Sequence, residues 1–159
     1  STLSSSSAAS DVYKRQTRTF VFGEASREIL DSYDTLEQCF DKVCAELRSG
    51  EKASIYQTMT CDFFEERGID TPRTDPQVTN GYVHSLGHGI GLDIHEKPTL
   101  SDMTGNNDVL EPGSIFTFEP GLYYPDKGYG LRIEDVYYVH EDGTLENLTD
   151  YPRDLVVKL

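Results

Sequence analysis

The run His84-Ser-Leu-Gly-His88-Gly-Ile-Gly-Leu-Asp-Ile-His95-Glu-Lys-Pro98 places three of the chain's four histidines close together among glycines. Two isolated glutamates follow, each within an otherwise apolar segment: Glu119 in Phe116-Thr-Phe-Glu-Pro-Gly and Glu134 in Leu131-Arg-Ile-Glu-Asp. A carboxylate buried without a partner costs several kcal/mol, so each acid has to meet a cation. Arg132 is the nearest guanidinium in sequence, and a buried salt bridge is the plain structural reading. A metal ion would satisfy both acids at once, with His88 as a third ligand. One imidazole and two carboxylates on separate extended segments predict a metal centre competent in hydrolysis.

The spacing also bears on which elements carry these groups. His84 and His88 stand four apart, which on a helix would put both on one face as a zinc pair. Gly81, Gly87, Gly89 and Gly91 argue against a helix, since glycine at this density marks bends and close backbone approach. The expectation is therefore His84 at a strand end, His88 in a bend and His95 on the next strand. Alternation over Ser114–Glu119 puts Ile115, Thr117 and Glu119 on one face, with Phe116 and Phe118 on the other. Along Leu131 onward, Arg132, Glu134 and Val136 share a face, and Asp135 falls on the opposite one in a structural position. His140, beside Asp142-Gly143, reads as a surface turn residue.

The elements that position these residues are legible upstream. Thr17–Gly23 is β-rich and suggests a strand. Ser26 can cap a helix whose apolar stripe runs Ile29, Tyr33, Leu36, Phe40, Val43, Leu47 before Gly50 closes it. A second helix spans about Ala53–Arg67, with Ile55, Met59 and Phe63 on one face and Gly68 past its end. After a polar loop over Pro72–Asn80 come short extended runs: Tyr82–His84, Ile94–His95, Ser114–Glu119, Leu131–His140 and Leu145–Leu148. Two helices followed by an antiparallel meander make an α+β domain.

Composition sets the outer bounds. The 159 residues are enough for one domain with its own core, and 36% apolar with 26% charged residues is ordinary for a globular protein. A net charge of −14 argues against a nucleic-acid partner, because phosphate would be repelled. No window approaches the roughly 18 apolar residues of a membrane helix, and no secretory leader pattern is visible. Neither a membrane nor a nucleic acid is expected as a partner. Cys39, Cys44 and Cys61 are odd in number and lack CxxC spacing; they read as packed, reduced thiols in a cytoplasmic protein.

Residues 1–16 are of a different kind. Their serine–alanine run has no apolar periodicity and predicts disorder. Ser6–Gln16 back-translates codon by codon into a string resembling a transposase adapter used to tag DNA for sequencing. The expectation is that this segment is translated adapter, to be excluded from fold reasoning. Native sequence would then begin at Thr17, with residues 17–159 forming the C-terminal part of a longer catalytic domain.

From Thr17 to Leu159 the chain resembles the creatinase/prolidase/aminopeptidase P superfamily, the pita-bread metallopeptidases. The matching segments are TRTFVFGEAS, HSLGHGIGLDIHEKP, LEPGSIFTFEPGLY and GLRIEDVYYV. The pairing of GLRIED with a histidine four before His88 is similar to the Xaa-Pro peptidase branch. The resemblance implies an α+β pita-bread fold, a curved antiparallel sheet backed by helices, here incomplete. It implies His88, Glu119 and Glu134 as ligands, with Glu134 bridging two divalent ions. His84 and His95 would flank the substrate and stabilise the developing oxyanion, and Tyr123 and Arg132 would form an outer hydrogen-bond network. The implied reaction is hydrolysis of a peptide with proline at its second position, by an Xaa-Pro aminopeptidase or dipeptidase. The ions serve as Lewis acid and water activator; Mn²⁺ is favoured over Co²⁺ or Zn²⁺ for one imidazole among oxygens.

The chain departs from this pattern at its start. Two further aspartate ligands are called for, one at the position of Arg15 and one upstream of it. The fragment is expected to be inactive and to bind at most one ion weakly, whereas the full-length parent is active and homo-oligomeric. Two other readings share the fold: an inert pita-bread domain that binds protein partners, and a creatinase-type amidinohydrolase that uses no metal. The retained His88, Glu119 and Glu134 count against both.

Overall fold

The computed structural model describes residues 15–158. Residues 1–14, most of the segment read as adapter, lie outside it. The first expected helix forms as α1 (Arg27–Cys44), its cap being Ser26, whose Oγ accepts the Ile29 N–H at 3.3 Å. Tyr33, Leu36, Phe40 and Val43 are buried along its stripe. Helix α2 (Ala53–Glu65) is capped at Glu66, and the chain leaves it at Gly68, which adopts a left-handed φ of 71° that glycine takes without strain. Ile55, expected on its buried face, is exposed, while Tyr56, Gln57, Thr60, Phe63 and Phe64 turn inward. No helix among the described residues is long and apolar enough to cross a membrane.

The main sheet has five antiparallel strands. In chain order they are β2 (Gly87–Gly89), β3 (Glu96–Leu100), β4 (Ile115–Phe118), β7 (Asp135–Val139) and β8 (Leu145–Asn147); in space the order is β3-β2-β4-β7-β8. A separate hairpin pairs β5 (Gly121–Tyr124) with β6 (Tyr129–Arg132). Near the chain ends β1 (Val21–Phe22) pairs in parallel with β9 (Val156–Val157).

Register decides which face each site residue occupies. β4 pairs β7 with Phe116 opposite Tyr137 and Thr117 opposite Val136. Phe116 and Phe118 turn to the helices, and Phe118 meets Phe40 of α1 edge-on at 4.9 Å. Thr117 and Glu119 then face the other way; a slip of one residue would exchange the two sets.

Several expected strands are corrected. Thr17–Gly23 is extended only at β1, with an isolated bridge from Thr17 to Glu134. Tyr82–His84 is not a strand: pairing stops at Gly81, in an isolated bridge to Tyr123, and His84 lies in a bend. Ile94–His95 lies in bends, and the strand starts one residue later, at Glu96. Leu131–His140 is broken at Ile133-Glu134, so β6 and β7 belong to different sheets.

Candidate metal centre

His88 is the middle residue of β2, not part of a bend. Its flanking glycines are there for proximity: a Cβ on Gly87 would sit 2.0 Å from the Thr117 carbonyl oxygen, and one on Gly89 would sit 2.1 Å from that of Lys97. With both neighbours bare, β3 and β4 close on either side of His88. Its N–H donates to Thr117 Oγ1 at 2.9 Å, and that hydroxyl lies 2.9 Å from Glu119 Oε1 as its donor. Thr117 thus couples strand register to ligand position.

The contacts of the His88 imidazole fix its tautomer. Nδ1 lies 2.9 Å from the Gly89 carbonyl, which can only accept, so Nδ1 carries the proton. Nε2 then faces Glu119 Oε1 at 3.3 Å. In the neutral ring this sets two lone-pair carriers against each other, an arrangement that calls for a proton or a metal cation between them. Burial pulls the His88 pKa down, but the Glu119 carboxylate and the Gly89 carbonyl outweigh it and the net shift is upward. Burial alone would raise Glu119, and the bonds from His88 and Thr117 bring it below the ordinary carboxylate value.

Glu134 approaches from a different segment. Thr17 pairs with it through both backbone bonds and donates its hydroxyl to Oε2. Arg132 spans the two acids, with one guanidinium nitrogen 3.8 Å from Glu119 and another 3.6 Å from Glu134. The same guanidinium donates to Thr17 Oγ1 at 3.1 Å. Glu134 Oε1 is buried and has no hydrogen-bond partner. Burial, reinforced by the nearby charge of Glu119, holds the Glu134 carboxyl above its ordinary value.

Among the described residues, no three His, Cys, Asp or Glu side chains gather tightly enough to form a metal cluster. The structure brings His88 and Glu119 into contact and leaves Glu134 at a remove, because Arg132 contacts both acids and Thr17 holds one Glu134 oxygen. The donor chemistry still fits a divalent cation: a bare imidazole nitrogen opposed to a carboxylate, and an orphaned carboxylate oxygen close by.

The remaining expected residues surround this core. A cavity of about 570 Å³ is lined by His84, His88, His95, Lys97, Glu119 and Arg132, among others. His84 sits in a bend with its ring between Tyr82 and Tyr123, both 5.4 Å away. Its Nδ1 donates to the Ser85 carbonyl at 2.7 Å, and its buried Nε2 has no partner. Burial lowers its pKa, which favours the neutral ring with Nε2 as an acceptor. His95 is exposed and meets the His88 ring edge-on at 4.3 Å. Tyr123 enters by packing against His84, and burial raises its phenol despite the opposing charge of Arg132.

Sequence reasoning missed Thr17, Thr117 and Gln57, whose polar atoms hold the site. Thr17 opens a quoted motif, but its contact with Glu134 is 117 positions away. Asp135 pairs with Arg18 at 2.7 Å in a structural contact, as its strand face suggested.

The profile described as metallopeptidase family M24 matches residues 4–141. A probable dipeptidase PepE of Mycobacterium bovis is 35% identical over 141 residues, 89% of this chain and 34% of that protein. The Xaa-Pro dipeptidase of Pyrococcus furiosus is 31% identical over 140 residues, 88% of this chain and 36% of its own length. The prolidase from Thermococcus sibiricus superposes with a TM-score of 0.74 at 29% identity, covering 91% of this chain and 35% of that one. The chain therefore has their α+β pita-bread fold in part, and it spans about a third of the length of the relatives it matches.

Proposed function

This chain belongs to metallopeptidase family M24, and we propose that the longer protein it represents hydrolyses Xaa-Pro peptide bonds as a dipeptidase or aminopeptidase. The observation that carries this reading is the opposed pair of His88 Nε2 and Glu119 Oε1 at 3.3 Å beside the unpartnered Glu134 Oε1. In this proposal His88, Glu119 and Glu134 hold divalent metal ions, two in the parent. Mn²⁺ is favoured over Co²⁺ or Zn²⁺, and the ions supply Lewis acidity and an activated water.

The chain's own residues do the rest. Arg132 balances the two acids, and Thr17 and Thr117 each fix one carboxylate oxygen. His84, neutral and with a bare Nε2, takes a hydrogen bond from the substrate amide, and it can donate to an oxyanion only after gaining a second proton. His95 borders the opposite side of the peptide, while Tyr123 backs His84. The parent works in the cytoplasm as a homo-oligomer, without a nucleic acid or membrane partner.

We propose further that residues 1–159 are inactive alone. Residues 1–16 are adapter-derived in this reading, although the family match begins inside them, at residue 4. The resemblance calls for an aspartate where Arg15 stands. Arg15 donates to the Ile94 carbonyl at 3.4 Å, and its positive charge acts on His88, His95 and Glu134. A cation at that point opposes metal binding, leaving at most one weakly held ion. The test is release of proline from an Xaa-Pro dipeptide with Mn²⁺ present. The 159-residue protein should give none above buffer, and clear turnover would refute its inactivity. The full-length protein, read from the intact gene, should be active; lack of turnover there would refute the peptidase reading itself.

A further inference from the structure

Gln57 is an amide on the inner face of α2, 2% exposed, well away in sequence from every residue discussed as a ligand. Its Oε1 lies 2.7 Å from the Leu86 backbone N–H and 2.8 Å from the Tyr82 hydroxyl. The Leu86 N–H can only donate, so the atom facing it must be the amide oxygen, and the Tyr82 hydroxyl must donate as well. One buried oxygen therefore takes two bonds from either side of His84.

Leu86 is a junction. Its N–H is shared between Gln57 and the Leu100 carbonyl of β3, at 3.0 Å. Its own carbonyl accepts the Glu119 N–H at 2.8 Å. Tyr82, meanwhile, packs against the His84 ring at a tilt of 57°. Through these contacts Gln57 reaches the backbone of one proposed ligand and the ring that backs the substrate-flanking histidine. A leucine would fill the same volume on this helix face without making either bond, so the amide is a costly choice for packing alone.

We propose that Gln57 is the positioning residue of this centre: it sets the spacing between the His84 ring and the Glu119 backbone without touching substrate or metal. The functional consequence rests on the metallopeptidase reading, whereas the geometry does not.

The test uses isotope-labelled 159-residue protein, following backbone amide exchange and imidazole nitrogen spectra. In Gln57→Leu the Leu86 and Glu119 amides should exchange about tenfold faster, as loss of one buried hydrogen bond implies. Amides of Phe40 and Val43 in α1 should be unchanged. Gln57→Glu keeps an acceptor oxygen in place and should restore protection at Leu86. Unchanged exchange at Leu86 and Glu119, or a uniform acceleration that includes α1, overturns the proposal. If Gln57→Leu does not fold, Tyr82→Phe decides. It removes one of the two bonds, and the His84 imidazole signals and the Leu86 amide should both respond; if neither does, the proposal falls. Mn²⁺ titrated into the unmodified protein tests the metal reading separately. Lack of turnover by the full-length protein would sink that reading and leave the exchange results to decide Gln57, whereas a Mn²⁺ effect on His88 here would support it.

Discussion

Glu134 and Asp135 are consecutive acids, both buried, placed in contrasting surroundings by the alternation of an extended backbone. The Asp135 carboxylate accepts from Arg18 at 2.7 Å, Thr149 at 3.2 Å and Asn147 at 3.0 Å, so both oxygens are partnered. The Arg18 and Asp135 side chains are 4% and 2% exposed. Glu134 has one oxygen bonded to Thr17 and the other bonded to nothing. Both sites bury charge, but only one is complete. Completeness marks the structural acid, and the missing partner marks the acid that awaits a ligand.

The largest effect should come from breaking the complete site. Asp135→Ala leaves the buried Arg18 guanidinium with backbone carbonyl acceptors but without a counter-charge, at a cost of about 3–5 kcal/mol in urea unfolding. Glu134→Gln removes a charge that the fold satisfies only in part, and stability should stay within about 1 kcal/mol of the parent. If both substitutions cost the same, the distinction between these neighbours is lost.

Their neighbourhood shows what could be read in advance. The α1 stripe, the Ser26 cap and the Phe116/Phe118 versus Thr117/Glu119 alternation follow from periodicity, because each depends on residues only a few positions apart. The break at Ile133-Glu134 does not: alternation continues through it, and what changes is the long-range partner, from β5 to Thr17 and then to β4. His88 was expected in a bend since glycines commonly make turns, yet here they let strands approach. The β5–β6 hairpin hid in a tyrosine- and glycine-rich stretch with no clear period. Gln57 could not be found, as an amide on a helix gives no sign of partners 25 and 29 residues away.

A smaller effect tests whether the incomplete site seeks positive charge. Arg15→Asp exchanges a cation for an anion near His88 and Glu134. Mn²⁺ affinity measured by calorimetry should rise on the order of tenfold, the scale of one added charge interaction at a partly screened site. Adding His88→Ala should abolish the gain. A rise that survives loss of His88 would place the ion elsewhere and dissociate Glu134's free oxygen from metal binding.

The smallest effect concerns Asp108, a third acid that is mostly buried and fully partnered but whose cation lies in solvent. It accepts from Lys97 Nζ at 2.7 Å and from the Thr99 N–H at 2.9 Å. Its backbone carbonyl accepts from Ala53 at the start of α2. Burial would raise its pKa, but Lys97 and the Thr99 amide prevail and hold it below the ordinary value of 3.8. A depressed folded-state pKa stabilises fully above the unfolded value, and that contribution is lost as pH falls through the folded one. The urea midpoint should therefore drop between about pH 5 and about pH 3, and Asp108→Asn should flatten part of that drop. Lys97→Ala should remove only the smaller part of the drop, because the Lys97 side chain is 83% exposed and solvent screens its charge, while the Thr99 N–H stays in place. The reverse outcome, with Lys97 dominating, would mean that the backbone donor from Thr99 contributes little. An acid would then not need buried partners to count as complete, and the contrast between Asp135 and Glu134 would have to be explained by charge alone.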